Sequence, residues 1–176
     1  MDESGFSERP SVRRTWWPKG VTPVLKTPFN WKRVSAIGAL ALAPDRRRVR
    51  TFLSLQPGPI RAEQVIVFLR SLRRHLPGKG LLVWDRLGAH RSWLTKIHLA
   101  DQKRWLEVEW LPAYAPELNP VEYLWSHLKG GSSANYCADS LSALAGQVKS
   151  RLRRVRDTDL AWSFLKHSGL YLSLLH

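Results

Sequence analysis

The fold is decided by GLLVWDRLGAHRSWLTKIHLADQKRWLEVEWLP, residues 80–112. This stretch begins and ends with short apolar runs, GLLVWD at 80–85 and LEVEWLP at 106–112, which have the length and composition of strands. The segment between them, around 93–104, has the pattern of a helix. Because a helical crossover joins parallel strands, the stretch predicts a β-α-β unit with a ligand site at the carboxyl ends of its strands.

The preceding part of the chain predicts antiparallel strands. VSAIGALAL (34–42) is an apolar run with β-branched residues at its start, and RVRTFLSL (48–55) alternates as its hairpin partner. Apolar residues at helical spacing predict a helix over 61–75, and another helix is predicted to begin near Val121. Early antiparallel strands followed by a β-α-β unit predict an α/β fold, in which helices flank a mixed sheet.

The end of the chain predicts a helical C-terminal extension. Residues 139–176 have the pattern of two helices separated near Asp157, and the first of them ends in the basic run KSRLRRVR. We therefore predict two parts, an α/β domain over residues 1–135 and a basic helical extension over 136–176.

The composition indicates a folded protein with a polyanionic partner. Apolar residues make up 44% of the 176 residues, the formal net charge is +14 and the isoelectric point is about 10.7. An excess of this size favours nucleic acid as the partner, although a solvated basic surface also accounts for it. Cys137 is the only cysteine, which excludes an internal disulfide and a cysteine-based zinc cluster.

The chain has none of the signals that direct a protein to or across a membrane. Its start, MDESGFSERP, carries acids and lacks the apolar core of a signal peptide. No apolar run approaches the roughly 20 residues that a membrane-spanning helix needs. We therefore predict a soluble, cytoplasmic protein associated with the nucleoid.

Three acids differ from the rest in their position. Asp85 ends an apolar strand, where a charged residue is costly unless it is paired or binds a metal, but it could also cap the turn that follows. Glu122 is the third residue of the helix that Asn119 and Pro120 begin, so it is either a metal ligand or the glutamate of a capping box. Asp2, considered alone, would be an acid at a frayed terminus.

The segments around these acids resemble a known family. They are DESGFSERPSVRRTWWPKGVTPVL (2–25), LLVWDRLGAHRS (81–92) and LPAYAPELNPVEYLWSHLK (111–129). Together they resemble the catalytic core of DDE transposases, in particular the mariner-related branch of bacterial insertion sequences. The resemblance covers about residues 1–130, and its most specific part is matched in order by Pro112, Tyr114, Pro116, Leu118, Asn119, Pro120, Glu122 and Trp125.

The resemblance implies a ribonuclease H-like fold and a metal-dependent reaction on DNA. Asp2, Asp85 and Glu122 would be the three catalytic carboxylates and would bind two Mg²⁺ or Mn²⁺ ions. Carboxylate oxygens are hard ligands that suit these ions, and two ions can activate the attacking oxygen and stabilise the leaving one. The implied activity is strand cleavage and strand transfer on transposon ends and target DNA, with a homodimer as the expected assembly.

The sequence departs from the family pattern at two places. Arg86 stands where the family has an asparagine after the second acid, and this arginine could either contact a phosphate or weaken metal binding. The family also has an apolar half-strand and a helix-turn-helix region before the first acid. We therefore expect either a split transposase, whose helix-turn-helix is a separate product, or a truncated remnant that only binds DNA. A ribosomal-type RNA-binding protein would explain the charge but not the acid motifs.

Basic and aromatic residues outside the three acids are candidates for DNA contact. The predicted DNA-binding set is Arg86, His90, Arg46, Arg47, Arg48, Lys129, Arg151, Arg153 and Arg154. Arginines and lysines would position the phosphate backbone without reading sequence, but solvated surface positions explain the same pattern. For His90 the alternative is packing or support of another residue. Trp16, Trp17 and Trp125 could stack on bases, but packing in the core or a lid is the favoured interpretation.

Overall fold

The structure is a computed structural model, which describes residues 1–9, 14, 16, 18–22, 24–25, 32–76, 78–130, 135–156 and 158–169. The strands of the described residues are β1 (Asp2–Ser7), β2 (Arg33–Leu42), β3 (Val49–Pro57), β4 (Gly80–Trp84) and β5 (Leu106–Trp110). The helices are α1 (Ala62–His75), α2 (Gly88–Arg91), α3 (Trp93–Gln102), α4 (Pro120–Lys129), α5 (Leu141–Arg156) and α6 (Leu160–His167), with a 3₁₀ turn at Pro116–Leu118.

The strands form an antiparallel and a parallel sheet. In the first, β2 lies between β1 and β3, and Gly38 of β2 is opposite both Asp2 and Leu53. In the second, β4 and β5 run parallel. The nitrogen of Met1 donates a hydrogen bond of 3.0 Å to the carbonyl oxygen of Val83, which brings the start of β1 next to the end of β4. Asp2 and Asp85 each lie close to this contact.

Helices cover both faces of the antiparallel sheet. Successive side chains of a strand point to opposite faces, so Ala36 and Ile37 belong to different clusters of buried residues. Ala36 packs with the helices α4, α5 and α6, whereas Ile37 packs with α1 and with the parallel strands β4 and β5. This arrangement confirms the predicted α/β fold with flanking helices, but the strands predicted as one mixed sheet form a three-stranded antiparallel sheet and a two-stranded parallel sheet.

The predicted elements are present with small differences at their ends. The strand predicted at 80–85 ends at Trp84, so Asp85 is the first residue of the following loop. The strand predicted at 48–55 covers Val49–Pro57, and the helix predicted to reach residue 104 ends at Gln102. The short helix α2 and the 3₁₀ turn were not predicted, because four-residue and three-residue helices have too few positions to produce a periodic pattern.

The two C-terminal helices pack against the same core as α4. Leu144, Val148 and Val155 of α5 recur at helical spacing and are buried together with Phe164 of α6 and Trp125 of α4. The boundary between residues 135 and 136 stays a prediction. Within the described residues, no helix is both long enough and apolar enough to cross a membrane.

Candidate active site

Asp2 is held at the start of β1 by a tryptophan of α4. Only 4% of Asp2 is exposed, and its Oδ2 accepts a hydrogen bond of 2.9 Å from the indole Nε1 of Trp125. The indole is itself buried and meets the ring of Phe6 edge-to-face, with 6.1 Å between the ring centroids. Because Trp125 is used in this way, the structure favours the packing interpretation of this residue over base stacking.

A glycine makes room for this tryptophan. Gly38 is the residue of β2 directly opposite Asp2. A Cβ atom at position 38 would lie 2.5 Å from Cη2 of Trp125 and 2.9 Å from Cζ2, far closer than carbon atoms approach in proteins. The absence of a side chain at Gly38 therefore lets the indole lie close to the sheet, where its N–H reaches Asp2.

Glu122 lies in the first turn of α4, near Asp2. The helix begins as predicted: Asn119 is its N-cap, its side chain accepts a hydrogen bond of 3.2 Å from the backbone nitrogen of Val121, and Pro120 follows it. In a capping box the side chain of Glu122 would accept a hydrogen bond from the backbone nitrogen of Asn119. That nitrogen donates instead to the carbonyl oxygen of Pro116 over 2.9 Å, so the structure does not favour the capping-box interpretation.

The charge of Glu122 acts on Asp2. Burial raises the pKa of Asp2, and the negative charge of Glu122 raises it further, while the hydrogen bond from Trp125 opposes both effects. Together they bring the pKa of the Asp2 carboxyl to about 7. Because Glu122 itself is exposed, one acid of this pair is buried and the other is in contact with solvent.

Asp85 has a different partner, the fully buried His90. Nδ1 of His90 donates to Oδ1 of Asp85 over 2.7 Å, and Nε2 donates to Oε1 of Glu3 over 2.8 Å. The imidazole also stacks on Trp84 with 4.1 Å between the ring centroids. An imidazole with a carboxylate at each nitrogen donates from both and is therefore charged.

The pKa values of this group follow from these contacts. Burial disfavours the charged form of His90, but the hydrogen bonds to Asp85 and Glu3 outweigh burial and raise the pKa of His90 to about 9. Burial also acts to raise the pKa of Asp85, but hydrogen bonds from His90 and from the backbone nitrogen of Leu87 outweigh it, and this pKa is lowered. Asp85 is therefore ionised at neutral pH.

Glu3 is the member of the site that sequence reasoning missed. Its side chain is 12% exposed, and its Oε2 is buried without a hydrogen-bond partner in the part of the chain that the structure describes. Asp2 and Glu3 are adjacent on a strand, so they point to opposite faces, and each is attached to a different partner. The alternation of side chains along β1 could have indicated that Glu3 points to the face opposite Asp2. Its contact with His90 could not have been predicted, because the two residues are distant in sequence.

The DNA-contact prediction for His90 is not supported by its position. The side chain is 0% exposed, and both of its nitrogen atoms are bonded to carboxylates. The supporting role that was weighed as the alternative is therefore the favoured one. Of the other predicted aromatic residues, Trp16 is exposed and Trp17 lies outside the described residues.

Arg151 requires a correction. Its guanidinium group is buried, and Nη1 donates to the carbonyl oxygens of His127, Leu128 and Gly130 at the end of α4. A cation that binds these carbonyl groups stabilises the carboxyl end of a helix. The helical spacing of α5 places Arg151 on its buried face, so we withdraw it from the predicted DNA-contact set.

The other basic residues of the predicted DNA-contact set differ in the exposure of their side chains. Lys129 is half-buried, and its Nζ lies 5.7 Å from the ring centroid of Phe6. The remaining side chains are exposed, and they are Arg46, Arg47 and Arg48 in the turn before β3, Arg86 directly after Asp85, and Arg153 and Arg154 on α5.

The residues present fit a divalent cation in two respects. Asp2 and Glu122 lie close enough for one charge to raise the pKa of the other, and a cation would relieve that repulsion. Both hydrogen bonds that the described residues donate to the Asp85 carboxylate reach Oδ1, which leaves Oδ2 for a metal. However, no three His, Cys, Asp or Glu side chains among the described residues are arranged as a metal-binding group. The three predicted carboxylates are thus at one end of the strands without forming a complete metal site.

Comparison with known proteins identifies the family. A family model described as "DDE superfamily endonuclease" matches residues 1–145. The chain belongs to the DDE superfamily of endonucleases. The family prediction is confirmed at this level, while the bacterial insertion-sequence branch stays a prediction. A search of curated proteins found no matching sequence.

Solved structures of the Mos1 mariner transposase have a similar fold. The Mos1 strand transfer complex superposes with a TM-score of 0.66 and 17% sequence identity, over 93% of this chain and 49% of the Mos1 chain. The paired-end complexes with the left transposon end and with Mn give TM-scores of 0.58 and 0.57 at 16% identity, each over 98% of this chain and 55% of the other. The chain thus has the ribonuclease H-like fold of these catalytic domains and spans about half the length of the Mos1 chains.

Proposed function

We propose that the chain is a transposase catalytic domain that cleaves DNA strands and transfers them to a target, with Mg²⁺ or Mn²⁺ held by Asp2, Asp85 and Glu122. The observation that carries the proposal is the hydrogen bond from Trp125 of α4 to Asp2, which brings the helix that carries Glu122, the third acid of the family motif, against Asp2, the first acid. The Mos1 neighbours are complexes with transposon DNA, and this supports DNA as the substrate.

Each carboxylate would be positioned by a different part of the chain. Trp125 would fix the buried oxygen of Asp2, His90 would fix Oδ1 of Asp85, and α4 would carry Glu122 at its positive end. When bound, divalent metal supplies activation of the attacking oxygen and stabilisation of the leaving one. With water as the nucleophile the site would cleave a strand, and with a DNA 3′-hydroxyl it would join two strands.

The partners belong to the same proposal. Transposon ends and target DNA are the proposed nucleic-acid partners, and a homodimer and a separate N-terminal helix-turn-helix product are the proposed protein partners. The net charge of +14 supports a DNA partner, because Lys and Arg displace the cations condensed on the phosphate backbone.

The test is nicking of plasmid DNA in the presence of Mn²⁺ or Mg²⁺. We expect weak nicking by the full chain and its loss, below detection, in Asp85→Asn and Glu122→Gln, because an amide lacks the charge that a metal pair requires. Glu117→Gln is the matched control, since Glu117 is an exposed acid of the turn before α4. Nicking that survives Glu122→Gln with the fold intact would contradict the role of Glu122.

The second candidate function is DNA binding without catalysis. It is favoured by one observation: Oδ1 of Asp85, the second acid, is already bonded to His90. If the chain binds DNA but shows no metal-dependent cleavage under any tested condition, DNA binding without catalysis becomes the better account.

A further inference from the structure

A basic cleft lies at the outer edge of the antiparallel sheet. It separates the beginning of β3 from the end of α5 and the start of α6 and has a volume of about 700 Å³. The side chains that matter for its chemistry are Arg47, Arg48, Arg50, Arg156 and Trp162. The arginines at the beginning of β3 thus meet Arg156, the last residue of the basic run KSRLRRVR, at one place.

The positive charge of this cleft exceeds the negative charge of the described residues that line it. Its four arginines and His75 are accompanied by one acid, Asp159. In the described part of the chain, the ion pairs within 4.0 Å are those of His90, and none involves these arginines. A concave surface that holds several uncompensated cations concentrates the field on an anionic ligand.

Two of the arginines are fixed by neutral acceptors. Arg156 donates from Nε to Oγ1 of Thr51 over 3.2 Å and from Nη2 to the carbonyl oxygen of Thr51 over 2.9 Å. Arg50 donates from Nη1 to the carbonyl oxygen of His75 over 2.7 Å. A guanidinium group has five N–H donors, so these bonds orient each group while further donors and the whole charge stay available.

We propose that this cleft binds the phosphate backbone of a DNA strand outside the site of cleavage. The inference rests on the proposed function, because it assigns the cleft to the same DNA that the carboxylates would cut. Arginines bind phosphate through paired N–H donors, and such contacts position DNA without reading its sequence.

The register of the sheet sets the distance between the two sites. Asp2 is opposite Gly38, which is opposite Leu53, and Thr51 lies two residues further along β3. With strands about 4.8 Å apart and about 3.3 Å per residue, the backbone of Thr51 is about 12 Å from that of Asp2. At about 3.4 Å per nucleotide, the cleft would hold a phosphate three to four nucleotides from the cleaved bond.

The first test compares two pairs of neutralised residues in duplex DNA binding, measured in EDTA so that no cleavage occurs. Arg47→Gln/Arg48→Gln removes two cleft charges from exposed side chains, and Lys103→Gln/Arg104→Gln removes two exposed charges before β5. Because each lost phosphate contact lowers the slope of log affinity against log salt by about 0.9, we expect a decrease of about 2 for the cleft variant and less than about 0.5 for the control. Equal changes in the two variants would overturn the proposal.

The second test locates the phosphate. Methylphosphonate substitution at the third or fourth phosphate from the cleaved bond should weaken binding of the wild-type chain about tenfold and should have no effect on binding of Arg156→Gln, because Arg156 is the cleft arginine that is bonded to Thr51. Arg156→Lys, which keeps the charge and loses the paired donors, should weaken binding of the unmodified DNA about threefold. Equal sensitivity to every phosphate in both proteins would refute the cleft as a defined site.

Failure of the two proposals can be told apart. If the salt slope changes as expected but no metal-dependent nicking occurs, the cleft is supported and the catalytic proposal fails. If nicking occurs and depends on Asp85 while the cleft and control variants bind alike, the catalytic proposal stands and the cleft inference is wrong.

Discussion

The surroundings of Asp2 and Asp85 differ more than their shared place at the end of the strands suggests. Asp2 is buried beside a second acid, Glu122, and the one side-chain hydrogen bond that it accepts from the described residues comes from the indole of Trp125. Asp85 is more exposed and has a charged histidine as its direct partner. Near neutral pH the metal-free chain would therefore hold Asp2 about half protonated and Asp85 ionised.

The two acids therefore differ in how the metal-free chain neutralises the charge around them. The Asp85 side carries a partly compensated group, in which the positive charge of His90 lies between two carboxylates. The Asp2 side carries an uncompensated pair, in which repulsion is reduced by retention of a proton. We expect a cation to lower the electrostatic energy mainly next to Asp2 and Glu122, because the repulsion between these two carboxylates is otherwise relieved by a proton.

The largest expected effect is a loss of stability when His90 is removed from the Glu3–His90–Asp85 group. His90→Leu would leave Glu3 buried without its partner, and loss of one member of a buried charged pair costs about 3–5 kcal/mol. We expect the free energy of unfolding at pH 7, measured by urea denaturation, to decrease by about 3 kcal/mol. Adding Glu3→Gln to His90→Leu should recover part of the loss, since the unpaired charge is then gone.

His98→Leu serves as the control for this change. His98 is a buried histidine of α3 outside the Glu3–His90–Asp85 group, and its pKa is lowered by burial and by the charge of Arg70. It should cost clearly less and should show no recovery with Glu3→Gln. An equal loss in both histidine variants would mean that His90 contributes through packing alone.

For the pair of Asp2 and Glu122 we expect the opposite: removal of the Asp2 charge should stabilise the chain at high pH. The pKa of Asp2 is raised from 3.8 to about 7, so the folded chain binds more protons than the unfolded chain over this range, and stability decreases as pH rises from 4 to 7. His90, with its pKa raised from 6.5 to about 9, continues the decrease from pH 6.5 to 9. Asp2→Asn should therefore remove the first part of the decrease and His90→Gln the second.

The size of the first effect can be bounded. Each pKa unit corresponds to about 1.4 kcal/mol, and an amide only partly imitates a protonated acid, so Asp2→Asn should stabilise the metal-free chain at pH 8 by about 1–2 kcal/mol. Urea denaturation in EDTA at pH 5 and pH 8 measures it. Asp139→Asn, a change at an exposed acid, should have no such dependence. Destabilisation by Asp2→Asn at pH 8 would contradict the view of Asp2 as an uncompensated acid.

The smallest expected effect concerns Arg86. The side chain is exposed, so Arg86→Asn should change the free energy of unfolding by less than about 0.5 kcal/mol. Removal of a positive charge next to Asp85 should increase Mn²⁺ affinity up to about fivefold, corresponding to about 1 kcal/mol for a charge pair in water. Titration calorimetry measures this affinity. A decrease in DNA affinity at unchanged Mn²⁺ affinity would assign Arg86 to a phosphate instead.

The sequence predicted the elements of the fold better than the contacts of the site. Strands β2 to β5, the start of α4 at Asn119 and the position of Asp85 followed from local patterns, because turn residues, caps and periodicity are local properties, whereas β1 was not predicted from its sequence. The burial of Arg151 could also have been predicted from the sequence, because Arg151 lies on the same face of α5 as Val148 and Val155. Its basic neighbours on α5 suggested a surface role instead.

The contacts across the site were beyond local patterns. The side chain of Glu3 meets His90, and the indole of Trp125 meets Asp2, through pairings that only the assembled sheet and helices create. The choice between a cap and a ligand at Glu122 likewise depended on the backbone nitrogen of Asn119, whose acceptor is set by the 3₁₀ turn before α4.

Gly38 has a consequence for how mutations in this chain would be interpreted. It carries no functional group, and it lies in the middle of a strand, where alanine or valine would ordinarily be the better residue. Any side chain there would meet the indole of Trp125, which would have to move from its position beside Asp2. A genetic screen for inactive alleles should therefore recover substitutions at Gly38 alongside those of the acids, and a suppressor search should find smaller residues at position 125.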